Sequence, residues 1–296
     1  MKKSILFALM FAVASVYAAE LKVLTIGNSF TWSLQKHFPA LVKAQGDKLV
    51  IGYANHGGCT IQRHWKYICE EEAKTEVKRY KHNGKALKLR DMLAIEKWDV
   101  VTIQQQSLKS SEKGSFYPEV NDLVAYVKKY APQAEIVLQQ TWAYSSDHPA
   151  LKKLGGQKGM YEKIYDNYKE ASEKFGLRVI PTGMAVELVR DAQPVKFVPL
   201  TKEDISKLAP GLKSIKQPGS LIAGWRWAKD RKTGEFGYSC DRIHLNNRGQ
   251  YLQACVWYGA LYKKSPLEIK YVGAGITPED AELMKKCADK ALKEYK

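Results

Sequence analysis

The chain has 296 residues, of which 45% are hydrophobic and 11% aromatic, and Lys and Arg outnumber Asp and Glu by 47 to 31. Burial of this much apolar surface offsets the entropy of ordering the chain, so the composition excludes an intrinsically disordered protein. The scattered Gly and Pro residues exclude a collagen-like or low-complexity sequence. The length suits one large domain or two ordinary ones, and we expect a basic globular protein.

The first 18 residues have the pattern of a secretory signal peptide. Lys2 and Lys3 form a positive region, an apolar run follows at residues 5–14, and Ala18 supplies the small residue of a cleavage site. The apolar run has about half the length that a membrane-spanning helix needs. Since no cysteine follows it, no lipid anchor is expected. The sequence therefore predicts a secreted or periplasmic protein without a stable membrane anchor, and a mature chain of residues 19–296.

After residue 20, short and mostly apolar runs of strand length alternate with longer helical stretches. The predicted strands are Leu21–Asn28, Lys48–Ala54, Asp99–Gln105, Glu135–Thr141 and Leu177–Thr182. The predicted helical stretches include Trp32–Gln45, Tyr117–Tyr130 and Met160–Phe175. This alternation is typical of an α/β fold with a doubly wound parallel sheet of about five strands. In such a sheet, reactive residues are expected just past the carboxyl ends of the strands.

Two long connections, at about residues 59–98 and 193–240, interrupt the alternation. The first is highly charged and helical in pattern. The second is punctuated by Pro-Gly pairs and contains Trp225 and Trp227. Connections of this length act as functional lids or insertions, or only elaborate the packing. The sequence leaves that choice open.

The basic residues and the cysteines give weaker indications. The lysines are spread through helical stretches with glutamates between them, which is the pattern of a solvated surface, so we do not expect nucleic-acid binding. The odd number of cysteines leaves at least one thiol unpaired and the pairing of the others open, and their spacing does not match a structural zinc site. The cysteines are Cys59, Cys69, Cys240, Cys255 and Cys287.

The segment Gly27–Thr31, with the sequence Gly-Asn-Ser-Phe-Thr, directly follows the first predicted strand. Its glycine allows a sharp turn, which presents Ser29 at the carboxyl end of the strand and near the start of a helix. The amides of a helix N-terminus can stabilise an anion there. Ser29 is therefore a candidate nucleophile, although a serine in this position can also simply cap the helix.

A second segment supplies partners for that serine. Asp241 precedes His244 by three residues in the sequence Asp-Arg-Ile-His, which lies on a predicted loop before a helix. This spacing can place the carboxylate against the imidazole Nδ1 and leave the opposite nitrogen for a nucleophile elsewhere in the fold.

Together these segments resemble the sequence blocks of the SGNH hydrolases, also called GDSL-type esterases, over about residues 21–261. Ser29 matches the nucleophile of the first block, and Asp241 and His244 match the acid and base of the last. The Gly-Gly pair at 57–58 is similar to the second block, whose glycine amide, here that of Gly58, lines the oxyanion hole. The resemblance implies a flavodoxin-like three-layer α/β/α sandwich, forming a single domain at 19–296 with the two insertions named above.

The third block departs from the family pattern. Its usual form is Gly-x-Asn-Asp, with the Asn side chain as an oxyanion donor, whereas residues 103–107 read Ile-Gln-Gln-Gln-Ser. Glutamine also carries an amide N–H, one methylene further out. We therefore predict Gln105 as the replacement donor and Gln104 as the second choice. The alternative is that these glutamines only pack locally.

The mechanism that the resemblance implies is acyl transfer through an acyl-enzyme. Ser29 attacks an ester carbonyl, His244 takes its proton, and Asp241 orients the imidazole. The amides of Ser29 and Gly58, together with a glutamine side chain, form the oxyanion hole. Neither a metal nor a cofactor is expected, because the chemistry needs none and no nucleotide-binding glycine loop occurs.

Three residues are predicted to contact substrate. Trp142 and Tyr144 lie just past the fourth strand, where aromatic faces suit a sugar ring, although ordinary loop packing explains them equally well. Arg63, together with His64, follows the glycine pair and could contact an acidic substrate.

The predicted function is that of a secreted serine esterase that hydrolyses acetyl or other short-acyl esters of carbohydrates. The predicted partner is an acylated glycan or small-molecule substrate. A lipase or lysophospholipase, an acyltransferase, and a non-catalytic glycan-binding protein on the same fold are the alternatives. The sequence does not define the physiological ester or the oligomeric state.

Overall fold

A computed structural model describes residues 19–212, 215–230 and 232–295 of the chain, so the predicted signal peptide at 1–18 lies outside the described residues. The strands of the described part are β1 (Glu20–Gly27), β2 (Lys48–Asn55), β3 (Tyr80–His82), β4 (Lys85–Leu87), β5 (Val100–Ile103), β6 (Glu135–Gln139), β7 (Arg178–Ile180), β8 (Ile222–Lys229) and β9 (Phe236–Leu245). Five of them form a central sheet in the order β2-β1-β5-β6-β7. All neighbouring strands in this sheet are parallel, as the sequence predicted.

Helices connect and flank these strands. They are α1 (Ser29–Trp32), α2 (Phe38–Ala44), α3 (Ile61–Ala73), α4 (Leu89–Ala94), α5 (Glu119–Tyr130), α6 (Gly156–Phe175), α7 (Thr182–Ala192), α8 (Lys202–Ser206), α9 (Asn247–Tyr262) and α10 (Pro278–Glu294). One group packs α3 and α4 against α5, and another packs α9 against α2, α7 and α10. The sheet between helical groups confirms the α/β class and its three-layer architecture.

The buried strands explain why this sheet forms. All of Val100–Ile103 in β5 are buried, and β1 is buried from Val23 to Gly27. Strands covered on both faces need such continuous apolar runs. The predicted helix Trp32–Gln45 is divided instead, into α1, a 3-10 turn at Ser33–Gln35, and α2. Pro39 lies in the first turn of α2, where its missing N–H costs nothing, so α2 begins there.

The two predicted insertions have different structures. Residues 59–98 hold α3, the antiparallel β3–β4 pair and α4. Residues 193–240 hold α8 and much of an antiparallel ribbon formed by β8 and β9, and β9 continues to Leu245. The second insertion therefore supports the Asp241 to His244 segment.

All five cysteines lie within the described ranges, and each is a free thiol. No helix among the described residues is long and apolar enough to cross a membrane.

Candidate active site

The turn that carries Ser29 is held by its neighbour. Asn28 is the N-cap of α1: its Oδ1 accepts the N–H of Phe30 at 3.1 Å, and its Nδ2 donates to the carbonyl of Cys59 at 3.0 Å. A side chain at Gly27 would place a Cβ 2.6 Å from Thr31 Oγ1, so only glycine fits before this turn. Because Asn28 caps the helix, the hydroxyl of Ser29 is not used as the cap.

The structure brings together three predicted residues that are distant in sequence. Ser29 Oγ lies 2.8 Å from His244 Nε2, and His244 Nδ1 lies 2.9 Å from Asp241 Oδ2. A carboxylate can only accept a hydrogen bond, so Nδ1 carries the proton and Nε2 accepts the Ser29 hydroxyl. The side chain of His244 is 36% exposed and that of Asp241 is 17% exposed. The imidazole therefore faces solvent above a mostly covered carboxylate.

Asp241 is held as an anion. Its Oδ1 also accepts the backbone N–H groups of Ile243 at 3.1 Å and His244 at 3.0 Å. Burial acts to raise the pKa of Asp241, but the hydrogen bonds from the ring and backbone of His244 outweigh it and lower the pKa to about 2. The group therefore offers a fixed negative charge to the imidazole.

The backbone N–H groups of Ser29 and Gly58 are the predicted oxyanion donors. Gly58 has φ +59°, in the left-handed region that favours glycine. The segment that contains it is bonded to the Ser29 turn at two points, since His56 N–H donates to the Gly27 carbonyl and the Cys59 carbonyl accepts from Asn28. The Gly58 N–H donates to no acceptor among the described residues. The Ser29 N–H lies in the first turn of α1, where helical N–H groups have no intrahelical partner.

The hydrogen bonds of Gln105 correct its predicted role. Its Nε2 donates to the carbonyl of Ser115 at 2.6 Å and to Gln62 Oε1 at 3.3 Å. Its Oε1 accepts the backbone N–H groups of Ile61 at 3.0 Å and Gln106 at 2.8 Å. The side chain is fully buried, and both amide hydrogens are already used. Gln105 therefore links the start of α3 to the segments at Gln106 and Ser115, and it has no N–H left for an oxyanion.

Gln104 also has a supporting position. It is 1% exposed, its Nε2 donates to Asn28 Oδ1 at 3.1 Å, and its Oε1 accepts from Thr31 Oγ1 at 2.6 Å. Gln104 therefore lies beneath the turn and orients the cap of the helix that begins at Ser29. The alternative that these glutamines pack locally describes both of them better.

His64 lies under the same turn. It is fully buried, its Nε2 donates to the carbonyl of Gly27 at 3.0 Å, and its Nδ1 faces the hydroxyl of Tyr80 at 3.0 Å. The carbonyl can only accept, so Nε2 carries the proton and Nδ1 accepts from Tyr80. Burial lowers the pKa of His64 to about 3. This neutral imidazole is buried away from any substrate, contrary to its predicted contact.

The same region corrects the predicted role of the aromatic residues. Trp142 is fully buried: its indole stacks on Phe30 with centroids 3.9 Å apart, and its Nε1 donates to the carbonyl of Ile243 at 2.9 Å. Tyr144 is 3% exposed and its hydroxyl is 2.7 Å from Ser107 Oγ. Neither ring face is open to a sugar. Trp142 instead contacts both Phe30, which follows Ser29, and Ile243, which precedes His244.

Arg63 supports the glycine loop. Its Nη2 donates to the carbonyl of Gly57 at 3.2 Å, and its guanidinium lies 5.5 Å from the ring centroid of Tyr67. The side chain is half-buried. Arg63 therefore positions the residue before Gly58, and its predicted contact with an acidic substrate stays a prediction.

Trp32 is a candidate that the sequence analysis missed. α1 buries Phe30 and Thr31, whereas Ser29 is half-buried and Trp32 is 39% exposed. Residues three apart lie on the same face of a helix, so an open indole shares the outer face of α1 with the serine. The three-residue spacing between Ser29 and Trp32 in the sequence would have predicted that the two side chains share a helix face.

Arg242, between the acid and the base, anchors β9 to the rest of the molecule. Its Nε donates to Asp147 Oδ2 at 2.7 Å, its guanidinium lies 5.4 Å from the ring centroid of Trp225, and its carbonyl accepts the N–H of Ser145 at 2.9 Å. Burial acts to raise the pKa of Asp147, but the bonds from Ser145 and Arg242 outweigh it, so the pKa is lowered. This ion pair keeps the ribbon against the end of the sheet.

A family profile described as a domain of unknown function, DUF4886, matches residues 22–196, more than half of the chain. The chain belongs to the DUF4886 family. The match includes Ser29 and Gly58 and ends before the ribbon that carries Asp241 and His244. A crystal structure of a DUF4886 family protein from Bacteroides uniformis is 26% identical, with a TM-score of 0.70 over 93% of this chain and 95% of that chain.

Two other solved structures resemble the present chain less closely than the Bacteroides uniformis structure does. A “putative SGNH hydrolase” from Slackia heliotrinireducens is 18% identical, with a TM-score of 0.47 over 80% of this chain and 96% of that chain. A “putative GDSL-like lipase” from Parabacteroides merdae is 14% identical, with a TM-score of 0.46 over 83% of this chain and 98% of that chain. A search of curated proteins gives no match.

Proposed function

We propose that this protein is a serine esterase of the SGNH type that removes acetyl or other short acyl groups from a carbohydrate. The observation that carries the proposal is the continuous hydrogen-bonded chain from Ser29 Oγ through both nitrogens of His244 to Asp241. A nucleophile, a base within hydrogen-bond reach and a group that orients the base are the parts that acyl transfer needs.

In the proposed reaction, Ser29 Oγ attacks the ester carbonyl carbon while its proton passes to His244 Nε2. Asp241 stabilises the imidazolium that forms. The carbonyl re-forms as the C–O bond to the alcohol breaks, and the imidazolium gives its proton to the departing alcohol oxygen. Water then attacks the acyl-Ser29 ester by the same steps, which releases the acid and restores the serine.

The proposed oxyanion hole consists of the backbone N–H groups of Ser29 and Gly58. One donor of this kind typically contributes ~2.7–4 kcal/mol to transition-state stabilisation. The usual third donor of the family has no counterpart here, because the amide of Gln105 already donates to Ser115 and Gln62. The site therefore depends on two fixed backbone donors, which need no side-chain rearrangement during the reaction.

The carbohydrate part of the proposal is supported by Trp32, whose exposed indole shares a helix face with Ser29. Flat apolar rings of this kind suit the apolar face of a sugar. The N-terminal sequence pattern supports action outside the cytoplasm, where polysaccharides are accessible.

The proposal is tested by hydrolysis of p-nitrophenyl acetate, butyrate and octanoate. Ser29→Ala and His244→Ala should each lower kcat by at least about 10⁴-fold, because the nucleophile and the base act as a unit. Both side chains are partly exposed, so the thermal unfolding midpoint should change little. Turnover should fall with chain length, and a preference for octanoate would favour a lipase instead.

The matched control is Ser206→Ala, which removes an exposed serine on α8. It should retain wild-type rates. If Ser29→Ala keeps most of the activity, the assignment of the nucleophile is wrong. If no ester is hydrolysed in a serine-dependent manner, a glycan-binding protein becomes the better account.

A further inference from the structure

A cavity of about 380 Å³ opens beside His244. Its walls include Asp241 and Arg242 on β9, Arg226 on β8, and His148 from the loop after β6. In the proposed reaction the imidazolium of His244 must donate its proton to the departing alcohol oxygen. The alcohol part of the ester therefore lies next to His244, which also forms part of the wall of this cavity.

The register of the ribbon places Arg226 on the face that carries the acid. Arg226 is paired with Ser239, and Gly224 is paired with Asp241. Opposite residues of an antiparallel pair, and residues two apart along a strand, project from the same face. The side chain of Arg226 is therefore the diagonal neighbour of Asp241. The residue opposite Asp241 is Gly224, and the amide of Gln217 fills the position that a side chain there would take.

The charges around the cavity leave one cation without a partner. Asp241 is hydrogen-bonded to His244, and Arg242 is paired with Asp147. Arg226 is exposed and has neither an ion pair nor a side-chain hydrogen bond among the described residues. A guanidinium that is not used internally is free to bind an anion in its planar fork, which matches carboxylate and phosphate oxygens.

We infer that Arg226 binds an anionic group on the alcohol part of the substrate, so that the natural ester is an acylated acidic sugar. This inference rests on the proposed esterase activity and names its substrate class. Carboxylate and phosphate present the same oxygen geometry to the guanidinium, and the experiment distinguishes them. Arg226 acts as a specificity-determining residue and takes no part in proton transfer.

The test compares three acetyl esters built on one ring: an acetylated methyl glucoside, an acetylated methyl glucuronide and an acetylated glucose 6-phosphate. Wild type should have the higher kcat/KM for one or both charged esters. Arg226→Ala should lower that kcat/KM by about 10- to 100-fold, mainly through KM, which corresponds to one charged hydrogen-bonding contact. The rate on the neutral ester should change less than about twofold, and Arg226→Lys should recover part of the loss.

Lys229→Ala is the matched control, because it removes the same charge from the opposite face of the same ribbon. It should leave all three rates unchanged. Equal losses on charged and neutral esters in Arg226→Ala, or equal losses in the two variants, would overturn the inference.

A binding measurement separates this inference from the proposed function. Calorimetric titration of the acetylated glucuronide and the acetylated phosphate into Ser29→Ala does not depend on turnover. Adding Arg226→Ala should weaken the detected binding by about 10- to 100-fold, which is the change expected in KM. Serine-dependent hydrolysis of the neutral ester without any charge preference would refute only the role of Arg226. Loss of the charge preference together with serine-independent hydrolysis would refute both proposals.

Discussion

The proposed nucleophile and its acid–base pair lie on regions that are held in different ways. The Ser29 turn rests on buried polar side chains, including Asn28 and His64, whose hydrogen bonds continue into the core. Asp241 and His244 lie on a two-stranded ribbon whose residues are mostly half-buried or exposed. Changes beneath the serine should therefore act mainly on stability, and changes along the ribbon mainly on rate.

Two attachments of the ribbon lie beside His244. Trp142 donates to the carbonyl of Ile243, and Arg242 pairs with Asp147. A catalytic pair on such a ribbon is positioned by these contacts rather than by burial in the core. Three substitutions test this difference, in order of decreasing effect on the rate.

Asp241→Asn should lower kcat by about 10⁴-fold, because an amide can stabilise the wrong tautomer of His244 and leaves the imidazolium uncompensated. The pH dependence of the unfolding free energy reports the same interaction between Asp241 and His244. The folded-state pKa of Asp241 is lowered from 3.8 to about 2. Its contribution to the unfolding free energy is therefore complete above pH 3.8 and is lost as the pH falls through about 2.

Chemical denaturation at pH 5 and pH 2 should accordingly show a larger loss of stability in wild type than in Asp241→Asn. A variant with unchanged kcat, or with the same acid sensitivity as wild type, would contradict the role of this carboxylate.

Asp147→Asn should lower kcat by roughly 10-fold with little change in KM, since one charge-assisted hydrogen bond contributes about 1.5–3 kcal/mol. The pair holds β9 and touches no substrate, so this is a positioning effect. Glu135→Gln is the matched control: it breaks the ion pair with Arg178 at the amino end of β6, away from the site. Steady-state kinetics should separate the two variants, and equal kcat values would refute the anchoring role.

Gln105→Ala should destabilise the fold while leaving kcat of the folded protein within about threefold. It leaves the N–H groups of Ile61 and Gln106 without their acceptor, at about 1–3 kcal/mol for each buried group, whereas the carbonyl of Ser115 still accepts from Gln62 Nε2. Thermal unfolding measures this loss. An oxyanion donor would instead cost about 10²–10³ in kcat. A loss of that size in both Gln105→Ala and Gln105→Glu would restore the role first predicted from the sequence.

Much of the architecture was predictable because buried parallel strands leave a direct trace in the sequence. Continuous apolar runs marked each strand of the central sheet, and the spacing of Asp241 and His244 marked a pair that needed a nucleophile. The single helix predicted over Trp32–Gln45 was wrong, because Pro39 and the short helix α1 divide it.

Side-chain direction was not predictable in the same way. Trp142 and Gln105 each follow or end a strand, and their position in the chain does not determine whether the side chain faces the solvent or the interior. Asp147 and Trp225 have no local signal at all, since their contacts with Arg242 exist only after distant segments pack together. The ribbon was also not predicted, although only residues 230–235 separate β8 from β9.

Ser29 becomes acylated in the proposed reaction, and capture of the acyl-enzyme would demonstrate this step. The protein is mixed with p-nitrophenyl acetate, quenched in acid during turnover, and examined by intact-mass and peptide-mass spectrometry. The account predicts one added acetyl group per chain, on the peptide that contains Ser29, and none at this position in Ser29→Ala or His244→Ala. Serine-dependent turnover with the acetyl group on another residue, or labelling that persists in Ser29→Ala, would contradict it.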